Sequence, residues 1–217
     1  MFKKILLNLL FPKKCYGCSA SDTWLCSKCL ESLQEYQGEI PRAMNNRCDL
    51  IIAGQYQDPV LNKLIIDFKF GGNQELSKPL SKVIIKELDK KITINSLTGN
   101  NWGELIIIPV PLHIKRKKWR GFNQSELLAK ELSNYYNWPI SLKLIKFRKT
   151  AIQSELSEEK RLDNQKNAFK WTGANFQEQA VLLIDDVITS GATLNEVELA
   201  LIKAGAKRVI KIALAKG

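Results

Sequence analysis

The sequence predicts an α/β protein: a mostly parallel sheet flanked by helices, with a small four-cysteine knuckle at its N-terminal end. Three observations carry this. Continuous apolar runs at 105–111 and 181–185 have the character of parallel strands buried on both faces. Segments with apolar residues at helical spacing alternate with such runs along the chain. Cys15, Cys18, Cys26 and Cys29 form two CxxC pairs separated by seven residues. The chain has 217 residues, enough for a proper core without disulfide staples. Residues 1–48 are expected to hold a helix, the knuckle and a linker, and residues 49–217 the α/β domain.

The first eleven residues are apolar behind Lys3 and Lys4. They lack a small-residue cleavage site, and Pro12 follows directly, so a packed helix with Ile5, Leu6, Leu9 and Leu10 inward is expected instead of a signal peptide. No apolar run approaches the roughly 18 residues of a membrane-spanning helix, and a cytoplasmic chain is expected. Two CxxC pairs can place four thiolates tetrahedrally around one zinc ion, and metal would then supply the folding energy that so short a segment cannot draw from a core. The competing readings are two disulfides, disfavoured in a cytosolic chain, or a redox CxxC, which would not come doubled. Four Cys ligands make a closed, structural site. Cys48 stands alone and reads as a buried small hydrophobe.

Residues 30–48 read as a linker broken by Gly38 and Pro41. Residues 50–56 form the first expected strand. Asp58-Pro59 is an N-cap with Pro at the first helical position. Val60, Leu61, Leu64, Ile65 and Phe68 continue that helix until Gly71-Gly72 stops it. Further helices are expected at about 77–90, with Leu80, Val83, Ile84 and Leu88 inside, and at 123–136, with Leu127, Leu128 and Leu132 inside. Residues 147–170 are polar and weakly periodic, a long loop of the kind that is functional or disordered. A helix at 194–204 buries Leu194, Val197 and Leu201, and stops at Gly205 before a last strand at 209–215.

Lys+Arg number 33 and Asp+Glu 22, a net charge of +11. Residues 115–170 hold 14 basic and 6 acidic side chains, and so +8 of that excess. Such a block suits a polyanion, whether nucleic acid or a phosphorylated small molecule; it equally suits a solvated surface.

The segment 181–193, VLLIDDVITSGAT, carries the most chemistry. A buried strand ends in two carboxylates, a turn rich in small residues and hydroxyls follows, and a helix begins. Ligands of open α/β sheets bind at such carboxyl ends, and a helix N-terminus favours phosphate. Thr189, Ser190 and Thr193 can add hydroxyl donors, and Gly191 lets the backbone approach closely. Asp185 and Asp186 have the wrong charge for phosphate but suit sugar hydroxyls. The residues therefore ask for a phosphorylated sugar with free hydroxyls.

This segment resembles the phosphoribosyl diphosphate (PRPP) motif of type I phosphoribosyltransferases: four apolar residues, two acids and a Thr/Ser/Gly-rich phosphate loop. The whole chain resembles the ComF family, the competence-associated branch of that superfamily. The resemblance rests on the Cys knuckle, the strand end Pro109 to His113, the block Arg120 to Gln124, Thr150 with Gln153, and Asp185 to Thr193. It implies the type I phosphoribosyltransferase fold, with a phosphoribosyltransferase-like domain over 49–217. It also implies PRPP held with Mg²⁺, Asp185 and Asp186 on the ribose hydroxyls as the catalytic pair, and Thr189, Ser190, Gly191, Ala192 and Thr193 on the 5′-phosphate. His113, Arg116 and Arg120 would lie near the pyrophosphate, where a departing polyanion needs cations. Gln153 and Arg161 would belong to a flexible loop closing over the site and excluding water.

The residues leave some alternatives open. His113, the only histidine, is either structural or functional. Trp119 and Phe122 could stack on a base or be core residues beside a helix start. Many ComF proteins have further cysteines after the first knuckle; here only Cys48 remains, so no second metal site is expected. Two functions compete. One is an enzyme in which an amine or ring nitrogen attacks C1 of PRPP and expels pyrophosphate. The other is a non-catalytic module of DNA uptake that binds single-stranded DNA or a helicase partner and keeps a phosphate site.

Overall fold

A computed structural model describes residues 12–39, 50–97, 105–147 and 168–217. The expected helix at 1–11, Cys48 and the loop residues Thr150, Gln153 and Arg161 lie outside these ranges.

The elements run α1 (Ser27–Glu31), β1 (Leu50–Gln55), α2 (Pro59–Phe70), a short 3₁₀ turn, α3 (Ser77–Leu97), β2 (Leu105–Pro109), α4 (Ile114–Arg120), α5 (Gln124–Tyr136), β3 (Leu144–Lys146), β4 (Phe169–Trp171), β5 (Ala180–Ile188), α6 (Ala192–Lys203) and β6 (Arg208–Lys216). Four strands form one sheet in the order β1-β6-β5-β2, with every pairing parallel. β3 and β4 make a separate antiparallel pair. The expected mostly parallel sheet with flanking helices is thus present.

The strand pleat sorts the core into two layers. Leu182, Ile184, Ile210, Ile212 and Leu214 face α2, α3, α5 and the cysteine knuckle. Val181, Leu183, Val209 and Ala213 face α6 and the β3–β4 pair. Helix starts follow their sequence signals: the Asp58 carboxylate accepts from the N–H groups of Val60 and Leu61, each at 2.9 Å, and Asn123 caps α5.

Several elements differ from expectation. α3 runs on to Leu97. α6 begins at Ala192, two residues early, because Gly191 (φ 83°) turns the chain directly into the helix. β5 continues through both acids to Ile188, since β6 keeps pairing with it as far as Lys216. The basic stretch Ile114–Arg120 is a helix, α4, and β3 and β4 frame the long polar segment. One buried cation breaks the apolar pattern. Lys211 of β6 shares the face of Val209 and Ala213, is fully buried, and pairs with Glu198 of α6 at 2.8 Å.

Candidate functional site

β2 stops pairing with β5 at Pro109–Ile184, so among the described residues no strand lies on that side of the two residues after Ile184. Those residues are Asp185 and Asp186. Adjacent strand positions point to opposite faces, so Asp186 lies on the α2 side, while Asp185 meets α5 past the end of β2. Asp186 pairs with Lys69 at the end of α2, Oδ2 to Nζ 3.1 Å. Asp185 Oδ1 accepts from Ser125 Oγ at 3.2 Å and from the Asp186 N–H at 2.8 Å. Burial, and then the Asp186 charge beside it, push the Asp185 carboxyl up to about 7. The site therefore holds, beside the Lys69-paired Asp186, a buried Asp185 carboxyl that is readily protonated near neutral pH.

Cations surround the pair. Burial lowers the Arg120 guanidinium, the Asp186 charge works to restore it, and neighbouring Arg116 opposes it. Arg120 donates to Gln124 Oε1 at 2.9 Å and lies over the Phe70 ring, 5.2 Å from its centroid. Burial, followed by Arg116, brings the Lys146 ammonium of β3 down to about 8, against the pull of Asp185. A cavity of about 310 Å³ adjoins this corner, lined by Pro109, Leu112, Ile114, Asn123, Leu144 and Lys146 among others.

Among the residues singled out from sequence, Asp185, Asp186 and Arg120 come together, with Arg116 beside Arg120. Ser190 is buried, and its Oγ lies 3.5 Å from the Ala192 N–H at the start of α6. Thr189 directly follows β5, and Thr193 is in the first turn of α6. His113 caps α4, its Nδ1 accepting from the Lys115 N–H at 3.3 Å. Phe122 is a core residue, 5.6 Å from Phe68 between ring centroids, whereas Trp119 is exposed. Sequence reasoning missed Lys69, Ser125 and Lys146. Lys69 and Ser125 sit in ordinary helical segments, and only the tertiary fold points them at the acids. Lys146 lay one residue before the segment assigned to a loop.

The four knuckle cysteines are free thiols whose Sγ atoms all lie within 4.8 Å of one another. Cys18 and Cys26 Sγ are 3.7 Å apart. A tetrahedron of Zn–S bonds of about 2.3 Å has edges of about 3.8 Å, so the donor set fits zinc. Burial opposes ionisation of Cys15, but backbone N–H groups of Cys26, Cys18 and Gly17 outweigh it and bring the thiol to about 6. Hydrogen bonding to Cys26, then burial, pushes Cys29 up to about 12. Only a cation lets all four ionise together. A Cβ on Gly17 would meet Cys29 Sγ at 2.6 Å, which explains the glycine within the first CxxC pair. The knuckle grips the last turns of α2 through Tyr16 Oη to Asp67 Oδ2 at 2.5 Å, and the α2–α3 turn through Trp24 Nε1 to Glu75 at 3.2 Å and Lys13 to Glu75 at 2.6 Å. That turn follows Lys69 and Phe70.

No family model matches the chain. Competence protein F of Haemophilus influenzae is 32% identical over 190 residues, covering 85% of this chain and 81% of that protein. The DNA utilization protein YhgH of Escherichia coli K12 is 32% identical over 186 residues, covering 85% and 74%. Competence protein ComFC of Streptococcus pneumoniae is 31% identical over 149 residues, covering 69% and 60%. Among solved structures, a hypoxanthine phosphoribosyl transferase of Trypanosoma cruzi is similar at a TM-score of 0.38 and 13% identity, covering 68% of this chain and 74% of that one; a likeness so loose carries no argument. The identity to Competence protein F, which spans most of both chains, shows that this chain belongs to the ComF family.

Proposed function

We propose that the protein binds PRPP with Mg²⁺ at the acid pair and transfers its phosphoribosyl group to an amine or ring nitrogen, in a role connected with DNA uptake. The observation that carries this reading is the pair Asp185–Asp186 on the open edge of β5, with five residues between Asp186 and the start of α6, and with Lys69, Arg120 and Lys146 around it and Arg116 beside the last two. The DNA role is supported by the relatives, a competence protein and a DNA utilization protein. A cytoplasmic setting belongs to the same proposal; among the described residues no helix is long and apolar enough to cross a membrane.

In this mechanism Asp186 leaves Lys69 and accepts from a ribose hydroxyl, and Asp185 accepts from the other. The Thr189–Thr193 segment takes the 5′-phosphate on hydroxyls and backbone N–H groups. Arg116 and Arg120 hold the pyrophosphate, and Gln153 and Arg161 close over it. The C1–O bond to pyrophosphate breaks as the acceptor nitrogen bonds to C1. Pyrophosphate leaves with the electron pair, and the proton of the acceptor nitrogen passes to the departing pyrophosphate. The two carboxylates are hard oxygen donors of the kind Mg²⁺ accepts alongside phosphates, and the ion supplies charge neutralisation of the leaving group. Zinc in the Cys15, Cys18, Cys26 and Cys29 site is structural. The test is PRPP-dependent pyrophosphate release with a panel of bases, alongside the PRPP–Mg²⁺ thermal shift. Saturating ligand at about 100 times its Kd stabilises by about 2.7 kcal/mol. Joint Asp185→Asn and Asp186→Asn substitution should abolish the shift; an unchanged shift places the sugar elsewhere.

A second reading, a single-stranded DNA or helicase-partner module without transfer, is favoured by α4. Its seven residues include Lys115, Arg116, Lys117, Lys118 and Arg120, and no acid. PRPP binding without pyrophosphate release for any acceptor would select it.

A further inference from the structure

Two large aromatic side chains stand in solvent beside the acid pair. Trp119, near the end of α4, is 74% exposed, and Phe70, the last residue of α2, is 62% exposed. Their ring centroids are 6.5 Å apart in an edge-on arrangement at 61°. The Arg120 guanidinium lies over the Phe70 ring, so Phe70 touches both a cation and the indole. This contact joins two helices distant in sequence and leaves most of the indole open to water. Folding does not require such exposure. The neighbouring Phe122 and Phe68 are buried, so the local chain has a core in which to place aromatics.

We infer that Trp119, supported by Phe70, is a stacking surface for a base of single-stranded nucleic acid, with Lys115 and Lys118 on the flanking phosphates. The charge pattern points to this occupant. Lys115 and Lys118 are exposed on the same short helix, whereas Lys117 is turned back into an ion pair with Glu126 at 2.9 Å. An open indole flanked by cations matches a strand whose bases offer π-faces and whose backbone offers one negative charge per nucleotide. A duplex hides its base faces and gains only the charge part. The inference rests on the nucleic-acid reading and is independent of whether PRPP is transferred.

The experiment uses the full chain, a labelled thymidine oligonucleotide of about 16 nucleotides, its abasic counterpart and a duplex. Binding is measured across salt. Trp119→Ala is expected to weaken the single strand by at least about fivefold at every salt concentration, leaving the salt slope and duplex binding unchanged. Trp119→Phe should recover part of the loss. Joint Lys115→Ala and Lys118→Ala should instead flatten the slope, by up to about 1.4. The PRPP–Mg²⁺ thermal shift of Trp119→Ala should match the wild type. If the wild type binds no oligonucleotide at low salt, the nucleic-acid reading and this inference both fall. If it binds but Trp119→Ala binds equally well, or the abasic strand binds as tightly as the natural one, only the stacking surface is overturned. Loss of the PRPP shift in Trp119→Ala would assign the indole to the sugar site and overturn it too.

Discussion

Asp185→Asn should stabilise the folded protein at neutral pH while removing ligand binding. The carboxyl titrates near 7 in the folded chain against 3.8 outside it, because burial and the adjacent Asp186 charge disfavour its ionised form. Between these two values the unfolded chain has released a proton that the folded chain retains. Stability therefore falls as pH rises through this window and is constant above it. The full difference is at most about 4 kcal/mol at pH above both values. Partial exposure of the site and the charge shared with Asp186 reduce this, so a gain of about 1–3 kcal/mol is expected for the neutral amide. An Asn Oδ1 can keep the bonds from Ser125 Oγ and the Asp186 N–H, so little is lost in exchange. The assay is urea unfolding of both proteins at several pH values from about 5 to 8. The stability difference between them should grow across this range, and contributions common to both cancel. A variant less stable than wild type at pH 8, or a difference independent of pH, would refute the argument that burial raises this carboxyl.

Three further expectations follow from the same structure. Purified protein should contain about one zinc per chain by elemental analysis, and Cys26→Ser should lower both zinc content and solubility; a metal-free, fully folded wild type rules the site out. Lys211→Met leaves Glu198 buried without its partner and should cost about 3 kcal/mol in urea unfolding, whereas the double change with Glu198→Leu should recover most of it; equal losses in the single and double variants would deny the pairing. Tyr16→Phe removes the hydroxyl bonded to Asp67 and should cost about 1 kcal/mol with zinc content unchanged, which places that bond in docking the knuckle and not in building it.

The sequence alone determined the local pieces: the two CxxC pairs, the cap at Asp58, the buried strands, and the strand–acid–glycine–helix order around Asp185. Each depends on residues near one another in the chain, where spacing and periodicity are physical constraints. What surrounds the acid pair was decided by tertiary structure. Lys69 reaches Asp186 because α2 packs on the face of β5 to which that residue points, and Ser125 reaches Asp185 because β2 ends one residue pair earlier. The continuation of β5 through both acids was likewise hidden, because it depends on pairing with β6, the last strand of the chain. The separation of Trp119 from Phe122 followed the same logic. Both are aromatic and three residues apart, but only the fold supplies Phe68 to bury one and Phe70 to brace the other in water. Lys211 is the sharpest case, since nothing near it in sequence announces a buried cation; its partner Glu198 is brought over it only when α6 packs on the sheet.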